Sequence, residues 1–247
     1  MKRFTAALIA VLAALTATYP VPAGAQGTAA PAEEKGPWTG KAALGYLATS
    51  GNTESSSLNA AFEVGYAHER WQHLLDASVI AAQENDVSTA EAYKVGWKSE
   101  FSFSERDFLF GRLTWRKDLF SGYDQQFSQT VGYGRRLIET ETHRLSVEVG
   151  AGARQSELRD GTTEDDTILR AGGQYRWQFS ETSSFTQDLA IESGEANTYI
   201  ESVSAVRTRL IENLALVASY TVKNNSDVPV DTEKTDTYTA LSIEYAF

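Results

Sequence analysis

The segment Thr239-Ala240-Leu241-Ser242-Ile243-Glu244-Tyr245-Ala246-Phe247 alternates bulky apolar residues with small or polar ones up to a terminal phenylalanine. Successive side chains of a β-strand point to opposite faces, so this two-residue period writes one apolar face and one polar face. Chain ends in soluble domains fray unless something ties them down. The expectation is a strand held in a closed sheet, and the economical host is an outer-membrane β-barrel, in which alternate residues meet lipid.

The same period runs upstream to Trp38. It marks strands at Trp38–Thr49, Leu58–His68, Trp71–Ala82, Tyr93–Phe103, Phe108–Lys117, Gln125–Arg136, His143–Arg154, Thr167–Phe179, Phe185–Ile191, Thr198–Leu210, Leu214–Lys223 and Thr237–Phe247. Twelve strands, most of 10 to 14 residues, suit a membrane crossing that needs about 9–11 residues at barrel tilt. The expected fold is therefore all-β: an antiparallel up-and-down transmembrane barrel of about twelve strands over residues 38–247. In Thr198–Leu210 the facing stays open, because Val203 and Ala205 compete with Ile200, Val206 and Leu210 for the outer face. Every second connection is short, as at Glu69-Arg70 and Ile211-Glu212-Asn213, and the others read mostly as longer polar loops, including Gln83–Glu91, Asp118–Asp124 and Gln155–Asp166. Aromatic residues sort into two belts, one near the short turns and one near the loops that includes Tyr46, Tyr93, Trp115, Phe127, Tyr199 and Tyr220.

The amino-terminal region points the same way. Lys2 and Arg3 precede an apolar run of roughly a dozen residues, followed by Pro20, Pro22 and Ala23-Gly24-Ala25, which is the pattern of a cleaved secretory signal over residues 1–25. Residues 26–37 are small, polar and proline-punctuated and read as a flexible periplasmic lead-in. The absence of cysteine excludes disulfides and a lipoprotein anchor. The expected location is the outer membrane of a Gram-negative envelope.

Two motifs match a known pattern. The Gly51-Asn52-Thr53-Glu54 turn after Ala48-Thr49-Ser50, together with the closing stretch Lys234-Thr235-Asp236-Thr237-Tyr238-Thr239 to Phe247, resembles the bacterial salt-induced outer membrane protein family, domain of unknown function 481. The resemblance covers about residues 38–247. It implies a barrel in the outer membrane and a link to salt or osmotic stress, and it supplies no substrate and no catalytic residue.

Charge divides by location. Loss of Lys2 and Arg3 leaves 20 basic against 33 acidic residues, a net −13, and the expected external loops hold sixteen acidic residues against Arg159 and Lys234. Asp160, Glu164, Asp165 and Asp166 form the candidate acidic rim, suited to divalent cations shared with lipopolysaccharide. The alternation turns Lys41, Glu63, Asp76, Lys94, Lys98, Glu100, Arg112, Arg116, Arg136, Glu148, Arg154, Arg170, Arg176, Asp188, Glu192, Lys223 and Glu244 into the lumen, with many glycines between them. Enclosed charges must be paired or wet, so the lumen is either a packed plug or a narrow passage. Tyr245 and Phe247 are the candidate recognition end for the barrel-assembly machinery.

Other function classes find little support. His68, His73 and His143 all lie beside short turns, and Ser146 stands three residues from His143, on the opposite face, out of reach as a nucleophile. That weighs against the lipid-hydrolase alternative. No metal-ligand cluster or phosphate loop is present in the sequence, no cofactor is expected, and a chain this acidic suits no nucleic acid. A secreted sandwich calls for shorter strands and loops of similar length at both ends. The reading is a non-enzymatic envelope component with a charged, mostly plugged lumen, with a narrow ion or solute channel as the alternative.

Overall fold

The computed structural model of the protein describes residues 36–49, 55–119, 123–228 and 233–247. The expected signal segment 1–25, nearly all of the lead-in 26–37 and the Gly51–Glu54 turn lie outside the described residues. The strands are β1 (Trp38–Thr49), β2 (Ser55–His68), β3 (Trp71–Glu84), β4 (Val87–Ser102), β5 (Asp107–Asp118), β6 (Tyr123–Glu139), β7 (His143–Leu158), β8 (Thr163–Gln178), β9 (Ser183–Ser193), β10 (Thr198–Arg209), β11 (Leu214–Asn225) and β12 (Thr235–Ala246). Each pairs antiparallel with its chain neighbour, and β12 returns to β1, so the sheet is a closed twelve-stranded barrel. Closure leaves no free sheet edge along the wall, the condition for a β-structure to sit in hydrocarbon.

One end of the barrel, the turn end, carries Trp38, Phe247 and the connections at 69–70, 103–106, 140–142, 179–182 and 210–213; the opposite end is the loop end. Several strands extend further toward the loop end than the periodicity indicates. The expected loop Gln83–Glu91 is a two-residue turn, Asn85-Asp86, with both φ angles positive (48° and 64°), the geometry that matches hairpin twist. The expected loop Gln155–Asp166 shrinks to residues 159–162, where Gly161 takes φ 83°. Polar residues mask these extensions: beyond the lipid, a ladder can continue without an apolar face, so hydropathy stops before hydrogen bonding does.

Leu44, Phe62, Leu75, Val95, Val131, Val149, Leu169, Leu241 and Ile243 stand exposed on the outer wall. Around the turn end, Trp38 packs on Tyr66, His73 stacks on Trp71 and Trp97, and His143 stacks on Tyr175 and Trp177. These form an outward aromatic girdle, and the histidines belong to it; His143 Nδ1 lies 2.9 Å from the Tyr175 hydroxyl. The ladder places His143 opposite Trp177 and Ser146 opposite Gln174, on different faces of the wall.

The seam is the shortest ladder. It runs only from Lys41–Ala246 to Leu44–Ile243, with a reciprocal backbone pair between Gly40 and Phe247 (2.9 Å each way). The Phe247 ring covers Gly40, in the space where any side chain at that position would stand. An aromatic ring over a strand glycine restores the packing surface that the glycine lacks.

Candidate functional site: the lumen

Cross-strand register fixes which side chains share the interior. Lys94 pairs with Arg116, Arg116 with Gln126, Gln126 with Ser156 and Ser156 with Glu164, which makes one inward row. On β10 the phase resolves with Tyr199, Glu201, Val203, Ala205 and Arg207 inside, since Glu201 lies opposite Lys223 and Ala190. Tyr199 is therefore not a belt residue. It is buried in the lumen, and the Arg116 guanidinium lies 4.4 Å from its ring centroid.

The turn-end half of the lumen is filled from one wall. Phe108 and Phe110 point inward and are almost fully buried. Their rings lie against Gly134 and Gly132 of β6, and the Phe110 ring also borders Gly150 of β7. A Cβ at any of these glycines would collide with ring or backbone atoms, so the inward glycines are a bed for two aromatic rings. Over the same rings stand Lys98 (Nζ 5.5 Å from each centroid) and Arg136 (4.8 Å from Phe108), the distances of cation–π contact. Lys98 also binds Glu100 (2.7 Å) and Glu148, and Arg136 binds Glu100 (3.4 Å).

The loop-end half is braced from wall to wall. The loop end of the β9–β10 hairpin supplies inward Glu192, Tyr199 and Glu201 from its strands and buried Asn197 from its turn. Glu192 accepts both terminal nitrogens of Arg116 from β5 (3.0 and 3.1 Å) and Nη1 of Arg170 (2.7 Å). Glu201 binds Lys94 of β4 at 2.6 Å. Lys223 of β11 binds Asp118 of β5 at 3.2 Å, and its ammonium lies 5.0 Å from the Tyr238 ring. Above these, Arg154 donates to Asp166 (3.1 Å) and to the Asn197 carbonyl (2.6 Å), while the Asn197 amide donates to Asn225 (2.8 Å). The Ala196 backbone N–H donates to Asp166, and the Asp166 carboxylate lies against Gly194. Two-pronged guanidinium–carboxylate bonds fix angle as well as distance, so Arg116 of β5 and Glu192 of β9 are locked to each other across the lumen.

Between the two fillings lies a cavity of about 310 Å³ with polar walls. Lys94, Lys98, Arg112, Arg116 and Arg170 line it, as do Glu63, Asp76, Glu100, Glu148, Asp188 and Glu201. Arg112 reaches Asp76 at 3.4 Å, and Glu63 is bound by Lys41 at 3.0 Å. Asp188 accepts a hydrogen bond from Gln174 (2.7 Å) and, among the described residues, has no cation within salt-bridge distance. Glu244 binds Arg207 at 2.6 Å near the turn end. Arg176 stands opposite Arg144 in the ladder, with no ion pair among the described residues.

The proposed rim divides. Asp160 is exposed in the 159–162 turn, where its carboxylate accepts the Thr162 backbone N–H at 2.9 Å, a bond that holds the carboxyl below its ordinary range. Asp165 is exposed on β8. Glu164 and Asp166, however, lie on the inward face of β8, and Asp166 is committed to Arg154. A doublet of acids on a strand cannot share a face, and Asp165-Asp166 is such a doublet. The sequence pattern also misses Glu201 and Arg207, because it leaves the β10 phase open, and it puts Asp118 in a loop. A signal for the first two exists: Tyr199, Glu201 and Arg207 occupy one parity on β10.

This geometry belongs to a recognisable group. A family model described as protein of unknown function, DUF481, matches residues 42–247. The chain is a member of that family. It is 34% identical over 217 residues to uncharacterized protein YdiY of Escherichia coli (strain K12), which spans 87% of this chain and 86% of that relative. In fold it is similar to the crystal structure of an outer membrane channel from Pseudomonas putida F1, with a TM-score of 0.52 and 9% identity over 89% of this chain and 100% of that one. DUF481 members therefore include a closed barrel with a charged interior, built on the same plan as an outer-membrane channel.

Proposed function

We propose that this DUF481 protein is a non-enzymatic outer-membrane barrel that serves as a narrow conduit for small hydrophilic solutes, held shut at rest by its β9–β10 hairpin. The observation that carries the reading is the pairing of Glu192 with Arg116 and of Glu201 with Lys94 across the lumen, directly beside a 310 Å³ polar cavity. A barrel with no need of passage can fill its interior with apolar side chains, which cost less than enclosed charges. Here the charge pairs stand across the loop end of a partly open chamber that is itself wide enough for solute. The exposed apolar wall and aromatic girdle support residence in outer-membrane lipid.

A second reading, a permanently plugged envelope component, is favoured by the two-pronged Arg116–Glu192 bond. Planar-bilayer recording separates the two. The double variant Glu192→Gln, Glu201→Gln removes the two cross-lumen carboxylates contributed by β9 and β10, and larger, more frequent current steps than wild type are expected. Silence from wild type and variant alike, with correctly folded barrels in the bilayer, overturns the conduit.

A further inference from the structure

The charges around the central cavity sort into closed sets. Lys41 with Glu63, Lys94 with Glu201, and Arg112 with Asp76 each sum to zero, and so does the quartet Lys98, Arg136, Glu100 and Glu148. Two remainders are left. Arg116 and Arg170 share the single carboxylate of Glu192, an excess of one positive charge, and the Nε donors of both arginines are buried without a hydrogen-bond partner. Asp188 is the opposite remainder: its carboxylate accepts one side-chain hydrogen bond, from the neutral amide of Gln174, and the cations that act on it from further off, Lys41 and Lys94, are paired with Glu63 and Glu201.

Both remainders line the same cavity. Arg170 faces Glu192 in the β8–β9 ladder and Asp188 faces Gln174, so the two lie on adjacent strands, offset by four residues, or about 13 Å along the strand direction at ~3.3 Å per residue. The wall between them is smooth: Gly172 pairs with Ala190, and a Cβ built on Gly172 has its nearest neighbour at 3.6 Å. A trough floored by small residues thus runs from an uncompensated cation to an uncompensated carboxylate. At ~30 Å³ per water the cavity has room for about ten waters, or one solute of about as many non-hydrogen atoms.

We propose that this trough is a binding site for a small zwitterion whose ammonium and carboxylate are several bonds apart, the ammonium on Asp188 and the carboxylate on Arg170. Such a ligand cancels both remainders at once. A simple anion or simple cation cancels one and leaves the other. The inference deepens the conduit reading by naming the class of solute, and it rests on the chamber rather than on conduction.

Isothermal titration of the refolded, detergent-solubilised barrel tests it with 5-aminopentanoate, pentanoate and pentylammonium as probes. The zwitterion is expected to bind about tenfold or more tighter than either single ion. Asp188→Asn should erase its advantage over pentanoate. Gly172→Leu, which fills the trough without altering charge, should abolish binding of the zwitterion while the barrel remains heat-modifiable on a denaturing gel. Equal affinities for the three probes, absence of binding, or indifference to Asp188→Asn overturns the site. A barrel that binds the zwitterion but never conducts defeats the conduit alone. One that conducts with no preference among the probes defeats the site alone.

Discussion

The two halves of the lumen are filled by opposite strategies. Near the turn end, Phe108 and Phe110 lie down on glycines of neighbouring strands, so filling and wall belong to one arc of the barrel, β5 to β7. Near the loop end, inward carboxylates of β9 and β10 meet cations that reach across from β5 and β4. Packing on one's own wall narrows a passage without crossing it. Bracing between walls crosses it, and the brace consists of bonds that can exchange partners. The contrast teaches that the closing element is the polar one and the permanent element is the aromatic one.

Substitutions can break that contrast at several strengths. The largest effect is expected for Gly132→Val or Gly150→Val, whose side chains would occupy the space of the Phe110 ring and of neighbouring backbone. Loss of the heat-modifiable band on refolding is the expected result, and a normal band would show that the aromatic bed is dispensable. Next comes Glu192→Ala, which strands two buried guanidiniums. Unpaired buried charges cost about 3–5 kcal/mol, so the urea midpoint should fall while conductance rises; a fall in midpoint with no change in current would mean the brace is only structural.

Phe108→Leu should sharpen the comparison from the aromatic side. A loss of about 1–2 kcal/mol with unchanged bilayer currents is expected, since the ring does not span the lumen, whereas a conductance change would move the closing element to the turn end. The smallest effect belongs to Asp160. Its carboxyl is held below the ordinary value of 3.8 by the Thr162 N–H, so its contribution to the turn is full above that value and declines as pH falls below it. NMR titration of the Thr162 amide should follow this in wild type and show no such step in Asp160→Asn, with neither form altered in conductance.

Much of this architecture is legible in the residues themselves. A period of two, sustained over segments long enough to cross a bilayer, identifies twelve strands and the inward parity of most charged residues, because lipid enforces alternation on every strand that meets it. Where lipid stops, so does legibility. The extension of β8 beyond its expected end is polar on both faces, those of β4 and β7 lack a bulky apolar face, and for that reason Glu164 and Asp166 read as loop. On β10 the inward residues Val203 and Ala205 carry no polarity, so parity comes only from the ladder to β9 and β11. Phe108 and Phe110 break the rule that aromatic residues face out, and only their glycine neighbours on other strands explain it. Which cation meets which carboxylate is a matter of curvature, and nothing in a linear pattern encodes a chord across a cylinder.

Glu192 and Glu201 stand on consecutive strands, so the closure they make is written in side chains of the wall itself. Revising a few inward positions on one hairpin alters the bore while every backbone ladder of the cylinder stays in place. What such a barrel admits is thereby separable from what makes it a barrel, and homologous barrels can differ in the first without any change in the second.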